Sequence, residues 1–211
     1  MKIRTDFVTN SSSSSFCVTL MVNTADGKHI PYSLSELSEF ANHINIPLQD
    51  RLTTFAADIQ HCQSPQELKK LLSNALSLDE IIAQWGIDFF DSDVNHIISR
   101  ETRKFQKNMS AVKQLTEIQS VQVRQSTYAW GEWATEGAYD FFNRILPGGN
   151  ESHLTTLGCQ GEHLQKVLDE YAALSDNDDI TQFDATITTT IPFPTGDLET
   201  TADIYSELSK W

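Results

Sequence analysis

One short stretch of the sequence brings a thiol, a carboxylate and an imidazole close together. Cys159, Glu162 and His163 lie within five residues of one another, and Gly158 and Gly161 flank the thiol as in an exposed loop. A thiol beside an imidazole is the pair that cysteine nucleophiles use, but such pairs are usually assembled from distant segments of a chain. The spacing therefore favours a structural role for this loop, and the catalytic residues, if the protein has any, are unknown.

A second stretch groups aromatic rings with an acid. Trp130, Glu132 and Trp133 surround Gly131, and Tyr128 precedes them at strand spacing. Rings and a carboxylate around a flexible residue are typical of a ligand-stacking site, although aromatic residues at a strand end more often pack against a core. Tyr128, Trp130, Glu132 and Trp133 are the candidate lining of a small-molecule cleft.

The common motifs for nucleotide binding and hydrolysis are missing from the sequence. It contains no GxGxxG, no GxxxxGK[ST], no HExxH and no GxSxG. The stretch from Asp91 to Asn95 opens like a calcium-binding loop, but His96 and Thr102 stand where glycine and a bidentate glutamate are required. We expect no metal site and no cofactor.

The N-terminus carries the most specific pattern in the chain, RTDFVTNSSSSSF over residues 4–16. This stretch resembles an N-terminal signature of assorted, mostly uncharacterised bacterial proteins, in which it also stands at the start of the chain and leads into a strand. The resemblance covers these residues alone and implies no activity, so no catalytic residue is carried over from it.

The composition of this segment differs from that of a flexible linker, because Phe7, Val8 and Phe16 favour burial on both sides of the serines. Asparagine and serine side chains bond readily to nearby amides, so an ordered loop that gathers N–H groups around an anion or a peptide terminus is one hypothesis. Phosphorylation of the serines and a mobile tail are the alternatives. The predicted recognition segment comprises Arg4, Asp6, Phe7, Thr9, Asn10, Ser11, Ser12, Ser13, Ser14, Ser15 and Phe16.

Charge and cysteine usage restrict the partner and the compartment. The chain has 15 basic and 29 acidic residues, a net charge of −14, which argues against a nucleic-acid backbone as partner. No apolar run is long enough for a membrane span, and serines stand where a secretory signal needs apolar residues. Three cysteines without a CxxC motif favour a reducing cytoplasm. We expect a protein partner, no nucleic acid and no membrane.

The periodicity of apolar residues predicts an α+β fold: a small, largely antiparallel sheet of about four strands with helices packed on one side. A hairpin with an Asp-Gly turn covers residues 16–32, and further strands cover 119–130 and 184–194. We divide the chain into a serine-rich recognition segment, residues 1–15, and a single α+β domain, residues 16–211. Helices are predicted over residues 34–44, 47–61, 65–75, 77–85, 91–118, 135–146, 161–174 and 198–208.

Two functions follow as hypotheses. The first is a non-enzymatic interaction or adaptor protein of the bacterial cytoplasm whose N-terminal serine peptide is recognised or modified. The second is a small enzyme or ligand-binding domain whose cleft lies near Trp130–Trp133 and is completed by the serine segment. A third, in which the acidic surface acts as a decoy for a basic partner, rests on net charge alone.

Overall fold

A computed structural model describes residues 13–33, 52–75, 107, 110–176 and 180–208 of the chain. Within these ranges the protein contains a five-stranded antiparallel sheet in the order β2-β1-β3-β4-β5. The strands are β1 (Ser13–Thr24), β2 (His29–Ser33), β3 (Ile118–Trp130), β4 (Ile180–Pro192) and β5 (Glu199–Leu208). The α+β class is thereby confirmed, with five strands instead of the four that the sequence predicted.

The predicted hairpin between β1 and β2 is confirmed, together with its Asp-Gly turn. Gly27 has φ +80°, a conformation that glycine adopts without strain. Asp26 accepts hydrogen bonds from the Lys28 ammonium and the Thr24 hydroxyl. The hydrogen bond from Lys28 and then that from Thr24 lower the pKa of Asp26 to about 2.

The sheet buries one of its two faces. Along β3, side chains alternate between buried and partly exposed from Val121 to Ala129, and β4 alternates in the same way from Phe183 to Ile191. An alternation of period two is the mark of an antiparallel sheet with a core on one side and water on the other. The partly exposed face is rich in threonine and carries Tyr128 and Arg124.

Helices pack against the buried face. They are α1 (Leu52–His61), α2 (Pro65–Ala75), α3 (Ala134–Ile145), α4 (Ser152–Thr156) and α5 (Gly161–Asp176), with short 3₁₀ turns at Gly131–Trp133 and Pro147–Gly149. In α3, Phe141 and Phe142 are buried, and their ring centroids lie 5.7 and 5.8 Å from that of Phe183 on β4. These tilted ring pairs anchor α3 to the centre of the sheet.

The predicted N-cap of α2 is present, because the Ser64 hydroxyl accepts a hydrogen bond from the Glu67 N–H at 3.3 Å. The Glu67 carboxylate accepts a hydrogen bond at 2.7 Å from the N–H of Gln63, one residue before the cap residue that a capping box would use. One donor of the first helical turn is thus satisfied by the cap.

Two predictions of helix were wrong. Residues 198–208 were predicted as a short helix, but Glu199–Leu208 form β5, because pairing with β4 buries Ala202 and Ile204 on one face. The long helix predicted to continue to Ile118 ends at Gln114, and Ile118 begins β3. The helices predicted over residues 34–44 and 77–85, and most of that over residues 91–118, lie outside the described residues.

A loop after α4 is fixed to the start of β5 by backbone contact. Cys159 forms a short parallel bridge with Thr200, and the Thr200 N–H donates to the Gly158 carbonyl at 3.3 Å. The buried Thr200 hydroxyl donates to the Leu157 carbonyl at 2.6 Å and shares a 2.8 Å hydrogen bond with the hydroxyl of Thr189. The polar groups of this junction therefore satisfy one another within the core.

Gly158 allows this close approach. Its φ is +79°, and a Cβ built on it would lie 2.0 Å from the Leu198 carbonyl oxygen, which belongs to the backbone. Any side chain at this position must push β5 away from the loop.

The first prediction concerns Gly158 and a matched glycine. Gly158→Ala is expected to lower the free energy of unfolding by about 3 kcal/mol or more, since backbone strain and a steric clash add together. Gly161 has φ +58°, and a Cβ built on it would meet no atom within 4 Å. Gly161→Ala is therefore expected to lower the free energy of unfolding by about 1–2 kcal/mol only, the strain of a left-handed conformation at alanine. Urea unfolding of both variants measures the difference, and equal losses would show that the Gly158 contact has no special role.

Candidate functional site

The C-terminal part of the serine run belongs to the sheet. Ser13–Phe16 form the first residues of β1 and pair with Trp130, Ala129, Tyr128 and Thr127 of the central strand, in that order. The strand begins three residues earlier than predicted, so Ser13–Ser15 are extended and belong to β1 and not to a turn-forming loop. Arg4, Asp6, Phe7, Thr9, Asn10, Ser11 and Ser12 lie outside the described residues.

The register brings the two candidate sites together. Position 13 pairs with Trp130 and position 15 with Tyr128, so these four positions belong to the same, partly exposed face of the sheet. The ligand hypothesis required the serine segment and the aromatic residues to lie on one side of the protein. The backbone satisfies that requirement for Ser13 and Ser15.

β1 is much longer than the strand that flanks it on the outside. β2 pairs with Thr19–Asn23 only, whereas β1 pairs with β3 from Ser13 onward. Among the residues that the structure describes, none pairs with the outer edge of Ser13–Val18. We call this six-residue stretch the serine edge.

The opposite edge of the sheet, on β5, is covered by side chains and a loop. Besides the bridge at Thr200, the Ala202 N–H donates to Nδ1 of His163 on α5 at 3.2 Å. Farther along, the Ser206 hydroxyl donates to the Glu170 carboxylate at 3.0 Å, and Lys166 lies 3.4 Å from Asp203. Charged residues and covering elements are the usual means by which proteins prevent an edge strand from pairing with another chain.

Two tryptophan rings at the end of β3 are exposed. Trp130 and Trp133 are 49% and 43% exposed, Glu132 is exposed, and Tyr128 is partly buried. The 3₁₀ turn at Gly131–Trp133 places Trp133 and Glu132 where the chain leaves the sheet for α3. Rings exposed to this extent favour a contact surface more than an enclosed cleft.

Two further residues near these rings were missed because their segment was predicted as a helix. Pairing between β4 and β5 places Tyr205 across Asp184 from Tyr128, and Glu207 across Gln182 from Trp130. Tyr205 is 53% exposed and Glu207 is exposed. Strand alternation at residues 202–206, read with the β4 register, is the signal that would have identified them.

The structure does not bring Cys159 and His163 into a catalytic arrangement. The Cys159 side chain is fully buried, and burial raises the pKa of its thiol, so the reactive thiolate is disfavoured. Nδ1 of His163 is engaged by the backbone of Ala202. Each residue has a structural role in attaching its element to β5.

One small apolar cavity, of about 40 Å³, lies between α5 and the start of β4. Phe142, Leu174 and Phe183 form part of its wall, and Glu170 and Ser206, which bond to each other, lie at its polar side. A space of this size holds a water molecule or two and is far below the volume of a ligand pocket.

The described ranges contain no candidate metal centre and no candidate membrane-spanning helix. No cluster of three or more His, Cys, Asp or Glu side chains suited to a metal ion occurs there. Within the same ranges, no helix has both the length and the apolar composition that crossing a membrane requires. Comparison with protein-family models, with curated proteins and with solved structures gives no match to this chain.

The second prediction tests the structural role of Cys159. In the folded protein at pH 8, iodoacetamide is expected to leave Cys159 almost unmodified, because its thiol is buried and its pKa is raised. Unfolding in urea should make it react at the rate of a free thiol. Peptide mass spectrometry locates the modification, and rapid alkylation of Cys159 in the folded protein would restore the nucleophile hypothesis.

Proposed function

We propose that this is a non-enzymatic interaction or adaptor protein of the bacterial cytoplasm, and that its partner recognises the serine-rich N-terminal segment. The observation that supports the proposal is the serine edge: six residues of β1 whose outer side has no described partner strand. The recognition that fits such an edge is strand addition, in which an extended segment of the partner pairs with the backbone of Ser13–Val18.

A serine edge has the chemistry that strand addition requires. Every second residue of a strand directs its N–H and C=O to the same side, so about three residues of Ser13–Val18 offer backbone groups outward. No lysine, acid or proline interrupts the stretch, whereas β5 carries Asp203 and Glu207. Within the described residues, the outward backbone of β5 is bonded at Thr200 and Ala202 and that of Ser13–Val18 has no partner, which supports use of the latter edge for binding.

Both forms of the hypothesis, recognition and modification, use the same residues. Phosphate on the serines would add about −1.5 to −2 charge per site beside the strand and would change its affinity for a partner. A protein partner is favoured over nucleic acid because the chain carries a net charge of −14. A surface patch, in place of an enclosed cleft, makes an enzyme the less favoured alternative.

The third prediction uses proline at two adjacent positions of the serine edge. Because neighbouring residues direct their N–H groups to opposite sides, one of Ser14→Pro and Ser15→Pro removes an outward donor and the other removes a hydrogen bond to β3. The outward substitution is expected to preserve the melting temperature and to weaken partner binding about tenfold or more. The inward one is expected to lower the melting temperature.

Ser14→Ala and Ser15→Ala are the matched controls, and Ser15→Lys tests the edge without proline. Partners are captured from a lysate of the source bacterium, identified, purified and titrated by calorimetry against each variant. Circular dichroism reports the fold, and intact mass of the native protein reports modification. A partner that binds every variant equally, with the serines unmodified, would overturn the proposal.

A further inference from the structure

We propose that the aromatic end of the sheet is a second binding surface, specific for a basic, lysine- or arginine-bearing segment of a protein partner. The surface, here called the ring patch, consists of Tyr128, Trp130, Trp133 and Tyr205 with the carboxylates of Glu132 and Glu207. The patch lies on the open face and end of the sheet, so its occupation does not require strand addition at the serine edge.

The exposed rings are concentrated at this place. Of the five large apolar side chains that are exposed in the described part of the chain, Trp130, Trp133 and Tyr205 belong to the ring patch. Scattered exposed apolar residues are ordinary, but several together indicate an interaction surface. Tryptophan and tyrosine are also the residues that contribute most to protein interfaces.

The sheet register fixes the spacing of the rings. Trp130 and Tyr205 lie two strands apart and two residues apart along the strand, which separates their Cα atoms by roughly 12 Å. Tyr128 and Tyr205 are about 10 Å apart on either side of Asp184.

The charge around the rings determines which side chains of a partner the ring patch can bind. The carboxylates of Glu132 and Glu207 are both exposed near the rings. Within the described residues the nearest basic position along β3 is Arg124, four residues from Tyr128, and Lys166 already lies 3.4 Å from Asp203. An aromatic face beside a carboxylate attracts a guanidinium or ammonium group through its quadrupole and its charge together.

Cation–π contact together with nearby carboxylates distinguishes binding at the ring patch from the general attraction of a polycation to an acidic protein. A net charge of −14 attracts any polycation, but that attraction is spread over the surface and is screened by salt. Cation–π contact is local, so only substitutions of the rings themselves should remove its contribution to the affinity. The test therefore alters rings and charges separately, each with a control outside the ring patch.

The fourth prediction uses a fluorescein-labelled peptide of alternating arginine and glycine as the probe, with fluorescence anisotropy on the full chain at about 0.15 M salt. The double variant Trp130→Leu with Tyr205→Leu is expected to weaken binding about tenfold, from the loss of two cation–π contacts. Tyr139→Leu, which alters a 36%-exposed ring on α3, is expected to leave binding unchanged.

Charge is tested with two pairs of substitutions that remove the same net charge. Glu132→Gln with Glu207→Gln is expected to weaken binding and to reduce its salt dependence, whereas Glu151→Gln with Glu162→Gln, both exposed and outside the ring patch, is expected to have little effect. Equal weakening by the two pairs would overturn the proposal, because binding would then be non-specific attraction.

Two further outcomes decide the chemistry. A peptide with citrulline in place of arginine keeps the shape and loses the charge. Equal binding of this peptide would overturn the proposal, because it would show that the ring patch binds by apolar contact and does not recognise the charge of the ligand. Urea midpoints of all variants confirm that each remains folded. Should the leucine double variant unfold, single substitutions replace it. Trp130→Phe and Tyr205→Phe keep an aromatic ring and should keep most of the affinity, whereas Trp130→Met removes the ring and should weaken binding.

Discussion

The architecture depends on burial of only one face of the antiparallel sheet. The central strand β3 pairs with β1 on one side and β4 on the other, and its alternate residues contribute to the core. Helix α3 covers this face through Phe141 and Phe142, which contact Phe183. Because the side-chain period of a strand is two, a shift of one residue in any ladder would move apolar residues into water and polar ones into the core. One buried face therefore fixes the register of all five strands.

The same constraint explains which parts of the fold could be predicted from sequence. The hairpin with Asp26-Gly27, strand β3 and the helices α3 and α5 have strong local signals: turn chemistry, alternation, or an apolar stripe. β5 does not. Leu198, Ala202 and Tyr205 recur at helical spacing, while Ala202 and Ile204 recur at strand spacing, so both periods fit the segment. Pairing with β4 selects the strand, and that partner is distant in the sequence.

The candidate sites show a similar division between local chemistry and tertiary placement. The composition around Trp130 and Trp133 singled out these residues, but the local sequence contains no information that Tyr205 and Glu207 lie two strands away from them. In the same way, Cys159 and His163 are neighbours in the chain, yet both are used to attach elements to β5. Proximity in sequence indicates chemistry only when the backbone directs the groups at each other.

The two edges of the sheet are a second constraint, because the backbone groups of an edge strand can pair with another chain unless they are protected. On β5, a loop admitted by Gly158 and side chains from α5 occupy the outward backbone groups at Thr200 and Ala202. On the other side of the sheet, β2 pairs with Thr19–Asn23 of β1, and no described residue pairs with the outer side of Ser13–Val18. Ser13–Val18, with which no described residue pairs on that side, is half serine and free of charge, which is compatible with the strand addition that we propose.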